Sequence, residues 1–276
     1  MTAHERALGL LAVPAHLAPR STLAVAGVVN RVRERLRRRS GRPALAGRYG
    51  GRPARVAGDL AANEARTWLL EAVVRRYGLG RIGRVVAWAP DNPVAGLRAT
   101  GGVLATWHAG ATITAIAPAL SGQGLPALFF IHAGDPEPTP GIEFVRVGVD
   151  SRAALDRARE RLAARGLVVV AVDGRRGSDT PPVTVLGETI TFRRGAFALS
   201  RRSGRPVFPV AARWHRYRPA LTVVVGDGLA PATNEPDDGS DVDLRMAESL
   251  GRWIEDFLSS APERFRPDSF RSGVPG

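Results

Sequence analysis

The sequence predicts an α/β protein with a mostly parallel central sheet covered by helices on both faces. Three observations carry this. From "RVVAWA" onward, short apolar runs suited to buried strands alternate with longer amphipathic stretches suited to helices. At 276 residues and 44% hydrophobic composition, the chain can bury the core of a large α/β domain. No apolar run approaches the roughly 18 residues of a membrane-spanning helix.

The elements follow in order. Ser21 to Ser40, "STLAVAGVVNRVRERLRRRS", reads as a helix with Val25, Val28, Val29, Val32 and Leu36 on one stripe and arginines from Arg31 onward on the other faces. Such a basic amphipathic helix suits an anionic membrane surface; it equally suits a solvated face on a helix docked to the domain. Ser40 to Gly58, rich in glycine, proline and arginine, reads as a loop. The chain therefore divides into residues 1–58, helix and loop, and 59–276, the α/β domain.

That domain opens with a helix from Asp59, its N-cap, to Tyr77, stopped by Gly78. Strands are expected at "RVVAWA", "GGVLATW", "PALFFI", "EFVRV" and "LVVVAV", with helices at "AGATITAIAPAL" and "SRAALDRARERLAARG". "PPVTVLGETITF" reads as a hairpin, "GAFALSRRSG" as a helix stopped by Gly204, and "RPVFPVAARW" and "ALTVVVGDG" as strands. The last expected helix carries Leu244, Leu250, Trp253, Ile254, Phe257 and Leu258 on its apolar face.

Composition narrows the chemistry. With no cysteine, disulfides and thiolate metal sites are excluded, and His4, His16, His108, His132 and His215 show no metal-ligand spacing. The net charge is +13, and every basic residue is arginine. Arginine binds phosphate and carboxylate bidentately at any working pH, so anionic partners are expected. Nucleic acid is the weakest of these, because no recognised motif is present and only 6% of residues are aromatic. The N-terminus carries an acidic residue and lacks a basic start before a clean apolar block, so a cytoplasmic location without a signal peptide is expected.

In open α/β sheets, ligands bind beyond the carboxyl ends of the strands. Three such ends carry polar residues: His108 after "VLATW", His132 and Asp135 after "LFFI", and Asp173 after "LVVVAV". His108 is followed by Ala109 and Gly110, small enough to leave an imidazole reachable by substrate, and histidine is suited to take a proton at neutral pH. Alone, it also reads as a packed strand-end histidine. In "VAVDGRRGSD", glycines allow a phosphate to approach while Arg175 and Arg176 neutralise it; a solvated tight turn is the plain alternative. Glu188 follows a glycine at the tip of the hairpin. Arg193 and Arg194 precede Gly195, which opens a helix, a combination suited to anions.

The order of "GGVLATWHAG", "VDGRRG" and "VTVLGETITFRRGAFALSRRSGRPVFPV", with the tail "WIEDFLSSAPERFRPDSF", resembles the lysophospholipid acyltransferase superfamily over about Gly101 to Phe270. The resemblance is closest to its lipid A late acyltransferase and phosphatidylinositol mannoside acyltransferase branch. "DGRRG" also resembles the "DGPRG" turn of another branch. The resemblance implies an enzyme that moves a fatty acyl group from acyl-CoA or acyl carrier protein to a hydroxyl or amine of a polar lipid or glycan. It implies no resident cofactor beyond that co-substrate, and a place on the inner face of the cell membrane. His108 would be the base, Arg175, Arg176, Arg193 and Arg194 would hold phosphates or an anionic acceptor, and backbone N–H groups near Gly110 or Gly195 would meet the oxyanion.

One departure matters. The family's histidine is followed, after four residues, by aspartate or glutamate, and the matching position here is Ile113. That acid orients the ring and stabilises the imidazolium. Glu188 is the first candidate to replace it, with Asp173 and Asp135 behind. Without a replacement, the chain would either use a more reactive acceptor such as an amine or be a catalytically degenerate protein that binds anionic lipid.

Overall fold

The computed structural model describes Ala26 and residues 53–108, 112–131, 138–147, 151–173, 178–215, 220–230 and 240–259. Helix α1 (Pro53–Tyr77) begins at a proline, whose fixed φ and missing N–H suit a helix's first turn. It therefore starts ahead of Asp59, which lies within the helix instead of capping it. The stretch Pro53 to Gly58, expected as loop, is helical, and the expected division at 58/59 falls inside α1. Of the expected helix Ser21 to Ser40, only Ala26 is among the described residues; it is helical and packs against the core.

After a 3-10 turn (Leu79–Ile82), the chain runs through β1 (Val86–Trp88), α2 (Val94–Thr100), β2 (Gly102–Thr106), α3 (Thr112–Gly122), β3 (Ala127–Ile131), β4 (Ile142–Arg146), α4 (Ser151–Ala163) and β5 (Leu167–Ala171). A hairpin of β6 (Val183–Val185) and β7 (Glu188–Ile190) follows, then α5 (Gly195–Ser203), β8 (Val207–Trp214), β9 (Leu221–Val225) and α6 (Ser240–Ser259). The expected strands and helices of this region all find counterparts here. Helix α2 and the 3-10 turn are too short to show a period in sequence.

Seven strands form one sheet in the order β1-β9-β8-β2-β5-β3-β4. The run from β8 to β4 is parallel; β9 is antiparallel to β8, and β1 is parallel to β9. Side chains alternate between faces along each strand. Leu104, Leu167, Val169 and Val210 pack with α1, α2 and α3 on one face, while Val103, Ala105, Val168 and Ala211 pack with α4, α5, α6 and the hairpin on the other. The molecule is therefore α/β, with a mostly parallel sheet and helices on both sides. Burial on both faces is why the strands read as continuous apolar runs.

Two details of the connections position the site. The chain leaves β2 through α3 on one face to reach β3, and leaves β5 through the hairpin and α5 on the other face to reach β8. Adjacent strands β2 and β5 thus send their connections to opposite sides, the arrangement at which open α/β sheets bind ligands beyond the carboxyl ends of the strands. The hairpin is a separate two-stranded sheet turned by Leu186 and Gly187, with φ 50° and 75°, the paired positive values of a type I′ turn. Its tip is held to α6, where the Leu186 N–H donates to Glu255 Oε1 at 2.6 Å. Among the described residues, no helix is long and apolar enough to cross a membrane.

Candidate active site

The β2–β5 ladder runs in register from Gly102 beside Leu167 to Thr106 beside Ala171. It continues one step further, since the Val172 N–H donates to the Thr106 carbonyl at 2.8 Å. The same register carries His108 and Asp173 to neighbouring positions at the carboxyl edge. There Asp173 makes two contacts. Its Oδ2 accepts from the His108 main-chain N–H at 2.8 Å, and its Oδ1 lies 2.8 Å from His108 Nδ1.

The chemistry of this pair follows from its donors and acceptors. An ionised carboxylate only accepts, so Nδ1 carries the proton and Nε2 keeps its lone pair. The Asp173 side chain is 1% exposed and the His108 side chain 59%, so the acid is sealed while the ring is open to solvent. Hydrogen bonding to Asp173 raises the His108 pKa above its ordinary 6.5; desolvation opposes this, and the charge of Asp173 adds to it. An acid thus stands where Ile113 does not provide one. It comes from the neighbouring strand.

The other candidate residues separate. Glu188, first among the candidate acids, begins β7 and pairs with Val185 across the hairpin, off the main sheet. The carboxylate on the His108 ring belongs to Asp173 instead, because the β2–β5 register carries Asp173 beside His108. Strand β3, whose end leads to His132 and Asp135, sits on the far side of β5, and both residues lie outside the described ones. Arg175, Arg176 and Gly110 also lie outside them.

Arg193 and Arg194 follow the hairpin, beside the end of β5, and are both engaged. The Arg193 N–H donates to the Val172 carbonyl at 2.7 Å, beside Asp173, and its guanidinium pairs with Asp179 at 2.5 Å. Arg194 donates through Nε to Asp243 Oδ2 at 2.7 Å, and Arg201 Nε lies 2.9 Å from the other oxygen of that buried carboxylate. Arg194, expected to hold phosphates or an anionic acceptor, is thus paired with an internal acid that ties α5 to α6. Gly195 opens α5 with room to spare, for a Cβ there would meet Val170 at 3.9 Å. No cluster of three or more metal-ligating side chains occurs among the described residues.

The raised pKa has two opposite consequences for pH. Stability contributed by the His108–Asp173 pair is fully present below pH 6.5 and is lost as pH rises through the folded pKa. Base function requires neutral imidazole and rises over that same interval. We expect the His108 ring proton resonances, followed by NMR, to titrate above pH 6.5 in the wild type and to move back toward it in Asp173→Ala. A midpoint at or below 6.5 in the wild type would contradict the pairing. Neither a protein-family model nor a curated protein sequence matches this chain.

Proposed function

We propose that the protein is an acyltransferase that uses His108 as general base and Asp173 as its orienting acid. The observation that carries this reading is the double hydrogen bond from His108 to Asp173, which leaves Nε2 free at the carboxyl edge of the sheet. In the reaction, an acceptor hydroxyl or amine attacks the carbonyl carbon of an acyl thioester. The new C–O or C–N bond forms as the C–S bond breaks. His108 Nε2 takes the acceptor's proton and returns it to the leaving thiolate, so that free thiol is released.

The donor in this reading is acyl-CoA or acyl carrier protein, and the acceptor a polar lipid or glycan. The arginine-only basic composition and net charge of +13 support work at an anionic membrane surface, on its cytoplasmic side. The alternative of a degenerate lipid-binding protein has less to recommend it once an acid is found on the ring.

The test is thiol release from long-chain acyl-CoA in the presence of a polar-lipid pool. The wild type should release thiol in an acceptor-dependent manner and His108→Ala should not. Equal release by the two proteins, or none by the wild type with any acceptor, overturns the proposal.

A further inference from the structure

Strand β8 outlasts its neighbour. Its ladder with β2 ends at Ala105 beside Pro209, a residue with no N–H to extend a ladder, yet β8 runs on to Trp214, paired only with β9. Along this strand, Val207 to Ala212 are buried, Arg213 is exposed, and Trp214 is buried again. The Ala212 N–H donates to Thr112 Oγ1 at 3.2 Å, at the start of α3. Thr112 is four residues after His108 in the chain, so this bond ties β8, one residue before Arg213, to the start of the helix that follows the base. Parallel to β2, β8 also delivers Arg213 to the same edge of the sheet as His108 and Asp173.

Charge distinguishes Arg213 from the other arginines of this region. Arg193 is paired with Asp179, and Arg194 and Arg201 share Asp243. Arg205 donates to the carbonyls of Leu162 and Thr100. Across β9, the residue in register with Arg213 is Thr222, which brings no charge and whose hydroxyl is bonded to the His215 ring at 2.9 Å. Among the described residues, no carboxylate or carbonyl takes the Arg213 guanidinium. An arginine at a ligand-binding edge, with five donors and no acid partner among the described residues, is suited to an anionic group of the ligand.

We infer that Arg213 binds an anionic group, phosphate or carboxylate, of the substrate whose reacting end meets His108. The inference rests on reading His108 as substrate-facing, and it adds Arg213 to the arginines expected to hold an anionic group. A phosphate of this kind can belong to the coenzyme A part of a donor or to a phosphorylated acceptor. Either would be held by the same bidentate geometry, which lysine cannot reproduce.

The experiment follows the His108 ring by NMR in the full chain while coenzyme A, glycerol 3-phosphate and inorganic phosphate are added separately. In the wild type, at least one anion should shift the ring resonance saturably. Arg213→Gln should weaken that binding by about 10- to 100-fold, the usual range for a lost charge-assisted contact. Arg213→Lys should recover only part of it, and Arg202→Gln, on the far end of α5, should leave it unchanged. A preference for coenzyme A assigns the subsite to the donor, and a preference for glycerol 3-phosphate assigns it to the acceptor. Wild-type affinity in Arg213→Gln, or no saturable shift with any of the three anions, overturns the inference. Thiol release that depends on His108 but not on Arg213 sinks this inference alone. Anion binding that depends on Arg213, in a protein that releases no thiol, sinks the acyltransferase reading alone.

Discussion

Under the proposed acyltransferase reading, Asp173→Asn should lower turnover of an acyl-CoA substrate by about 10⁴, the loss seen when the comparable acid of a serine protease is replaced by its amide. The reason lies in the second hydrogen bond. Because one carboxylate oxygen accepts from the His108 main-chain N–H, an asparagine must keep its carbonyl there and turn its amide NH₂ toward Nδ1. Nδ1 then has to accept, the ring proton moves to Nε2, and the nitrogen that faces the substrate becomes a donor. The reverse orientation would set the amide NH₂ against the main-chain N–H. The fold should tolerate the change, since two hydrogen bonds persist. Thiol release together with ¹⁵N imidazole shifts checks this; near-normal turnover with Nε2 protonated would show that His108 is not the base.

The second large effect concerns stability. Asp243 is fully buried, and its two oxygens meet Arg194 and Arg201, whose side chains are 29% and 26% exposed. Asp243→Ala removes the shared acid and leaves two half-buried guanidinium groups facing each other. Breaking such a buried pair costs about 3 to 5 kcal/mol, and partial solvation of both arginines places this one at the lower end. At about 2 to 4 °C per kcal/mol for a domain of this size, the melting temperature should fall by about 6 to 12 °C. A change under about 2 °C in thermal unfolding would show that these three side chains do not hold α5 against α6. By the same logic, Arg194→Gln should affect stability more than substrate affinity.

How much of the site is legible in sequence differs residue by residue. His108 and Asp173 are both readable as polar residues ending apolar strands, because a strand buried on both faces turns polar only where it emerges. Their partnership is not readable. The chain visits β2, β3, β4 and then β5, yet β5 enters the sheet between β2 and β3. Glu188 attracts attention because it follows a glycine near two arginines, but the type I′ turn ties its strand back onto β6, away from the main sheet. Arg194 resembles an anion ligand because it opens a helix next to another arginine. Its partner, Asp243, lies far along the chain, in a helix that sequence places only as the last amphipathic segment. Arg213 has no local signal, because it sits inside an otherwise apolar strand and nothing nearby in the chain marks where β2 parts from β8.

The sequence by itself determined the class of fold and the kind of element most stretches after "RVVAWA" form, since hydrophobic period, turn residues and helix stops act over a few residues. It also determined which residue types end the strands. Tertiary structure alone decided which strand ends are neighbours, and through them that Asp173 bonds His108, that Asp243 occupies Arg194, and that no acid among the described residues pairs with Arg213. The physical reason is that strand order is set by helices packing on one face or the other of a twisted sheet. That balance is spread over two whole cores and is written in no single motif.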